Sequence, residues 1–323
     1  MSIPSNTIPW IGGEDLQARL PYAKVSEALK RAFVSDISAP PRHIHSLGSN
    51  ATAPREDRLI ALMPSWSDAL GLAGVKLFTF FSGNRELGLP VIHSVYIAVD
   101  ANTGAIRAIL DGGMLTNIRT SALSALAGTY LARPDSRTHL LIGTGELAPH
   151  LALAHAAVRR LERVLVWGRR SDAARATAEL LKTKGLAAEA IDSIEEGLAV
   201  ADIVSSATSS TVPLIHRKQV RAGTHIDLVG GFTPHMREVD DELVSCAHIV
   251  LETIEGVANT AGDIVGPLKS GAINRSQLTT ELRDLVSGQR PGRQNAEEIT
   301  LFKTVGDARE DLCAAALALD SNR

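Results

Sequence analysis

The chain has 323 residues and a mass of 34.3 kDa, with 45% hydrophobic and 21% charged residues, the composition of a folded globular protein rather than a disordered one. A net charge of −3 and a pI near 6.4 give no global electrostatic case for nucleic acid or an anionic membrane. No apolar run approaches the ~18 residues of a membrane span, and the two cysteines, Cys246 and Cys313, form no disulfide framework. No basic segment followed by an apolar run opens the sequence, so a cytoplasmic, reducing setting is expected.

Residues 14–33 carry helical spacing (Leu16, Leu20, Val25, Leu29, Phe33) and predict one helix, with Pro40-Pro41 closing the region. Strands are expected over 58–63, 74–81, 91–99 and 105–110. The last two are joined by Asp100-Ala101-Asn102-Thr103-Gly104, which has hairpin chemistry. Consecutive strands without long crossovers predict an antiparallel meander. A helix over 115–132 follows; it has no charged residue after Arg119, so it is expected to be buried throughout. Beyond residue 138, short apolar runs at 139–142, 164–167, 203–206, 226–229 and 249–251 alternate with helices. One of these, 171–184, has Ser171 as cap and Gly185 at its end. Strands that are apolar on both faces build a parallel, doubly wound sheet. Residues 299–305 read as a different strand or loop, and 306–319 as a last helix that returns to the first domain.

The first motif with chemistry is Leu140-Leu141-Ile142-Gly143-Thr144-Gly145-Glu146-Leu147-Ala148, a strand running through G-x-G-x-x-A into a helix. Gly143 allows a sharp turn, Gly145 lets backbone approach a pyrophosphate, and Ala148 permits close helix packing. The helix N-terminus offers N–H groups to phosphate, and Pro149 in the first turn does no harm there. At the end of the next strand, Trp167-Gly168-Arg169-Arg170-Ser171 has no carboxylate before Asp172. Paired guanidinium donors suit a 2′-phosphate, so NADP(H) is expected in preference to NAD(H). The other reading is a solvated basic turn, with Asp172 serving the ribose.

Two cations form the second constellation. Alternation places Lys76 on the strand face of Phe78 and Phe80, and neither face is polar. Its ammonium then needs a partner or a lowered pKa, or else snorkels past the sheet edge. Arg119 is the only cation of its helix and lies near the positive end of the dipole, where an anion would favour it. Together they suggest a clamp for a carboxylate. Arg42, after Pro40-Pro41, is a third candidate, although on sequence alone it reads as an exposed loop arginine. His43 and His45 flank a loop near it, within reach of a substrate.

The run Asp111-Gly112-Gly113 through Arg119 to Ala127, followed by Gly143-Thr144-Gly145-Glu146-Leu147-Ala148, resembles the ornithine cyclodeaminase/mu-crystallin family. The likeness extends to Gly74-Val75-Lys76, to Asn84 with Gly88-Leu89-Pro90, and to Ala201-Asp202-Ile203-Val204 with Thr208. It continues through Gly230-Gly231, Pro234, Arg237-Glu238, Thr300 to Gly306, and Glu310-Asp311. The resemblance implies an α/β chain with a Rossmann-type, doubly wound parallel sheet domain over 121–302. It also implies an α+β substrate-binding and dimerisation domain built from both chain ends, 1–120 and 303–323, and a homodimer. It places Arg42, Lys76 and Arg119 at the substrate carboxylate. The cofactor would be lined by Arg119, Gly143, Thr144, Gly145, Glu146, Leu147, Gly168, Arg169, Arg170, Thr208, Val229, Gly230 and Thr304. No metal is implied.

One departure discriminates within the family. Its cyclodeaminases and alanine dehydrogenase type carry an Asp after the paired small residues that end the fifth strand, whereas here Phe232 follows Gly230-Gly231. A benzyl group takes no proton and pairs with no ammonium. The expected reaction is therefore NADPH-dependent reduction of a small cyclic imino acid. Δ1-Pyrroline-2-carboxylate to proline comes first, and Δ1-piperideine-2-carboxylate to pipecolate second. Lys76 adds to the clamp and supplies or relays the proton, and Phe232 forms an apolar wall for the ring. The competing readings are an NAD-dependent ornithine cyclodeaminase, an amino-acid dehydrogenase, and a non-catalytic NADPH-bound sensor. In another arrangement, Phe232 points into the core and a different carboxylate serves.

Overall fold

The computed structural model describes residues 7–47 and 58–320, so the extreme chain ends assigned to the first domain, 1–6 and 321–323, lie outside the described residues. The chain forms two compact units. One joins the residues up to Thr120 with those from Asp307 onward, and the other is Ser121–Gly306.

The first unit is built on a six-stranded sheet of β1 (Trp10–Ile11), β2 (His43–Ser46), β3 (Arg58–Ser67), β4 (Leu72–Phe81), β5 (Ile92–Asp100) and β6 (Ile106–Asp111). The order is β1-β6-β5-β4-β3-β2. Strands β2 to β6 pair antiparallel, as the meander predicts, and β1 adds to β6 in parallel. In the β5–β6 turn, Asp100 Oδ1 accepts from Asn102 N, Thr103 N and Thr103 Oγ1 at 2.9–3.0 Å. His43 and His45 are strand residues of β2.

The single helix expected over 14–33 is two, α1 (Gly13–Arg19) and α2 (Tyr22–Ala32). Pro21 is the cause: it disfavours helical geometry at Leu20, which sits at φ −118°, ψ 68°. Helix α3 (Gly112–Leu131) begins at the glycine pair itself, with Met114 N donating to Asp111 Oδ1 at 2.9 Å. The last helix, α11 (Ala308–Asp320), packs against α2, β3 and β4. The sheet face turned from α11 carries an apolar row in register across five strands: Trp10, Ile109, Ile97, Val75 and Pro64. Trp10 is exposed, to 57%, and the other four are half-buried.

The second unit is a parallel seven-stranded sheet of β7 (Thr138–Ile142), β8 (Arg163–Trp167), β9 (Ala188–Ala190), β10 (Ile203–Ser206), β11 (His225–Leu228), β12 (His248–Leu251) and β13 (Thr300–Lys303). Its order is β12-β13-β11-β10-β7-β8-β9. The 299–305 segment contains β13, an inner strand between β11 and β12, and the helix that follows it belongs to the first unit from Asp307 onward. Successive strands run outward from β7 in one direction and from β10 in the other, which puts the topological switch between β7 and β10.

Helices α4 (Leu147–Val158), α5 (Ser171–Thr183), α6 (Ile194–Val200), α7 (Asp241–Cys246), α8 (Ile254–Ala258), α9 (Gly262–Ser270) and α10 (Leu282–Val286) complete the unit. Leu140 and Ile142 enter one core with Leu198, Ile226 and Leu243, while Leu141 enters another with Leu151, Ala174 and Leu181. Burial on both faces is what the continuous apolar runs require. Arg170, not Ser171, occupies the N-cap position of α5, and Ser171 opens the helix.

A polar island lies within this core. Ser205 Oγ donates to Asp227 Oδ2 (3.0 Å) and meets His139 Nε2 (2.9 Å). The His139 and His155 rings are 4.7 Å apart, and His225 Nδ1 meets Thr300 Oγ1 at 2.9 Å. All three histidines are fully buried. Desolvation keeps them neutral, holding His155 down at about 3 and the other two well below the usual imidazole range. Burial has the opposite effect on Asp227, raising it to about 7.

Candidate active site

In the first unit, strand alternation turns Lys76 to the buried side of β4, together with Leu72 and Gly74. Because α3 begins at Gly112, Arg119 lies two turns inside that helix rather than near its positive end. The expected dipole penalty is therefore small, and the charge of Arg119 is met by side chains. Lys76 is 4% exposed and Arg119 3%.

Both cations converge on α11. Lys76 Nζ lies 2.8 and 2.9 Å from the two oxygens of Asp311, and Arg119 Nε reaches Asp311 Oδ1 at 3.0 Å. Arg119 Nη1 also pairs with Glu310, and Lys76 Nζ meets Thr116 Oγ1 at 3.3 Å. Both acids are fully buried. Two cations and two carboxylates thus make a formally neutral quartet, which supplies the partner that the buried ammonium needs. A buried charge is tolerated only when paired, and the sequence analysis lacked these partners. Desolvation, aided by the Arg119 charge and opposed by Asp311 and Glu310, lowers Lys76 to about 8.

Arg42 is half-buried immediately ahead of β2, and His43 and His45 on β2 are exposed. Tyr96, fully buried, stands directly across from Lys76 in the β4–β5 register. Burial and the Asp311 charge push its phenol up.

In the second unit, the expected cofactor residues gather at the carboxyl ends of the parallel strands. Gly143 to Leu147 follow β7, Gly168 to Arg170 follow β8, Thr208 follows β10, Val229 and Gly230 follow β11, and Thr304 follows β13. Gly143 has φ +118°, and a Cβ there would lie 2.6 Å from Ala207 O; at Gly145 a Cβ would meet nothing within 4 Å. The loop is thus tight against its own fold on one side and open on the other. That shape fits a pyrophosphate laid on backbone N–H groups at the start of α4. Arg169 and Arg170 are exposed, and Arg170 Nε is 4.0 Å from Asp172.

The Gly230-Gly231 turn rests on a charged cluster that the sequence analysis missed. Lys303 Nζ donates to Leu228 O (3.2 Å) and to Gly230 O, and lies 3.6 Å from Asp263 Oδ2. Asp263 Oδ1 accepts from Glu238 N at 2.7 Å. Glu238 Oε1 accepts from Ser206 Oγ (2.6 Å), Thr208 N (2.7 Å) and Thr208 Oγ1 (2.8 Å), so the Thr208 hydroxyl is already committed. A Cβ on Gly231, which sits at φ +60°, would strike Asp263. Burial pushes Glu238 up, reinforced by Asp263 and opposed by Lys303. Phe232, half-buried, follows this turn. The sequence signal for these acids was the adjacency of Arg237-Glu238 and Glu310-Asp311 within quoted motifs, which gives no partner.

The model of the ornithine cyclodeaminase/mu-crystallin family matches residues 16–323. The chain belongs to this family. A Δ1-pyrroline-2-carboxylate reductase of Paracoccus denitrificans is 40% identical over 255 residues, covering 78% of this chain and 79% of that protein. The family member Δ1-pyrroline-2-carboxylate reductase of Thermococcus litoralis, solved with NADH and L-proline, superposes with a TM-score of 0.91. It is 33% identical, with 97% of each chain covered. An archaeal alanine dehydrogenase dimer with bound NAD superposes at 0.88 and 25% identity, covering 97% of this chain and 95% of that one.

Proposed function

We propose that this protein reduces Δ1-pyrroline-2-carboxylate to L-proline with a nicotinamide dinucleotide, NADPH in preference to NADH, as hydride donor. The observation that carries this reading is the pair of buried cations, Lys76 and Arg119, held on one carboxylate, Asp311. The reductases among the relatives of this chain support it. Phe232, standing where a cyclodeaminase needs a carboxylate, argues against handling a second amine.

When bound, the reduced cofactor supplies the hydride that arrives at the ring carbon bearing the carboxylate. Arg119, aided by Arg42, holds that carboxylate and fixes the face presented. Lys76 gives its proton to the ring nitrogen as the C=N bond becomes single, and is reprotonated from solvent. A lysine near 8 is still charged at neutral pH and sheds its proton more readily than an ordinary one. The open side of Gly145 and the N-terminus of α4 receive the pyrophosphate, flanked by Thr144, Glu146, Leu147, Gly168, Thr208, Val229, Gly230 and Thr304. Arg169 and Arg170 meet the 2′-phosphate. The unit of residues up to 120 and from 307 onward acts as the substrate-binding and dimerisation part, and 121–306 as the cofactor part. Phe232 walls the ring, and six-membered Δ1-piperideine-2-carboxylate is a second substrate.

The reading includes a homodimer in the cytoplasm. A second copy would cover the apolar row of Trp10, Ile109, Ile97, Val75 and Pro64. Free Cys246 and Cys313 agree with a reducing compartment. Among the described residues, no helix is long and apolar enough to cross a membrane. The deciding experiment follows NADPH oxidation with five- and six-membered cyclic imino acids beside ornithine with NAD+. Oxidation dependent on the ring imine is expected. Ammonia release from ornithine without added reductant, and no imine-dependent oxidation, would overturn the proposal.

A further inference from the structure

The two acids of α11 take no part in the steps above, yet both grip the pair that does. Asp311 spans Lys76 and Arg119, with both oxygens on the ammonium and one also on Arg119 Nε. Glu310 pairs with the guanidinium through Nη1 and also caps the start of its own helix by accepting from Asp307 N at 3.2 Å. Neither acid is reachable by solvent.

We propose that Asp311 is the positioning residue for proton delivery, holding the Lys76 ammonium in place and charged, while Glu310 positions Arg119 for the substrate carboxylate. This rests on the reductase reading with Lys76 as the acid. The groups facing Lys76 are Asp311 and Glu310 from α11, Arg119 and Thr116 from α3, and Tyr96 from β5. Of these, Arg119 and desolvation both drive the proton off, and the two carboxylates alone keep it on. Asp311 makes the direct bond, so its removal acts chiefly on the proton. Glu310 bonds the guanidinium and the start of its own helix, so its removal acts chiefly on carboxylate binding.

The test measures kcat and KM for Δ1-pyrroline-2-carboxylate from pH 5.5 to 9.5 in the full chain with saturating NADPH. For the unaltered protein, kcat/KM falls above about pH 8, where Lys76 loses its proton. In Asp311→Asn that falling limb moves at least one pH unit lower. The deficit is then roughly fivefold or more at pH 8, approaches tenfold or more at pH 9.5, and shrinks towards pH 6. Glu310→Gln raises KM roughly tenfold and moves the limb less than Asp311→Asn does. Asp311→Glu keeps the charge and therefore keeps the limb, with a reduced kcat, and it decides the question if the Asn variant does not fold.

An Asp311→Asn loss of equal size at every pH, or an Asp311→Glu limb that moves although the charge is retained, would overturn the proposal. Lys76→Met separates this failure from that of the underlying reading. A variant retaining wild-type rate and limb would remove Lys76 as the acid and the proposal with it. A variant that loses both, beside an unshifted Asp311→Asn, would refute the role of Asp311 alone.

Discussion

Replacing Lys76 by methionine keeps a long, unbranched side chain on the buried face of β4 and deletes only the charge. Two consequences can be sized from the structure. The first concerns stability. Breaking a buried pair by removing one partner typically costs about 3–5 kcal/mol. Here Asp311 keeps Arg119 at 3.0 Å and the desolvation of Lys76 disappears, so a smaller loss, about 1–3 kcal/mol at pH 7, is expected.

The pH dependence of that difference is the sharper test. Lys76 lies at about 8 in the folded chain against an ordinary 10.5. Below pH 8 both states hold the proton, and the folded chain carries the full penalty of the buried charge, roughly 3 kcal/mol. Between 8 and 10.5 the unfolded chain binds the proton and the folded chain does not, so stability rises with pH by roughly 1.4 kcal/mol per unit. The methionine variant has no such contribution. Urea unfolding of both proteins at pH 7, 8, 9 and 10 should show the wild-type advantage growing across that window. A flat or shrinking difference would refute the reasoning. On the activity side, loss of a general acid should lower kcat by roughly 10²- to 10⁴-fold.

Three further outcomes are expected. Arg169→Ala should weaken NADPH binding by roughly 10- to 100-fold in a fluorescence titration, the worth of a charge-assisted bond to phosphate, and should change NADH binding much less. Gly145→Ala and Gly231→Ala should part company. The first meets no atom within 4 Å and should fold normally while losing dinucleotide affinity. The second, at φ +60° against Asp263, should lose about 1–3 kcal/mol of stability in urea unfolding. Asp227→Asn should gain stability over the wild type as pH rises from about 4 to about 7. Over that range the folded wild type holds a proton that the unfolded chain has released. The gain, up to roughly 4 kcal/mol, should be larger at pH 7.5 than at pH 5; equal gains would contradict a raised Asp227.

Legibility in the sequence followed the range of the interactions. The strand, glycine turn and helix around Gly143 declare themselves within a dozen neighbouring residues, whereas alternation shares Lys76 with Phe78 and Phe80 on a strand apolar on both faces and leaves the buried side to the fold. The break between α1 and α2 was legible in Pro21 but was outweighed by continuous apolar spacing. Position of β13 was not legible, because an inner strand of four residues has no periodicity and its neighbours come from distant stretches. The partners of Lys76 and Arg119 were the largest omission. Asp311 lies 235 residues from Lys76, and Glu310 lies 191 from Arg119. Only the folded chain joins them. The same distance hid Lys303 and Asp263 beneath the Gly230-Gly231 turn.

The quartet of Lys76, Arg119, Glu310 and Asp311 has equal and opposite charges enclosed within a few ångströms. Such an arrangement projects almost no potential outward, because each monopole is cancelled before its field reaches bulk water. An anion is therefore not drawn in from afar by these groups, and the grip operates only on arrival. Encounter rates should accordingly be nearly indifferent to ionic strength, in contrast to a funnel lined with one sign of charge.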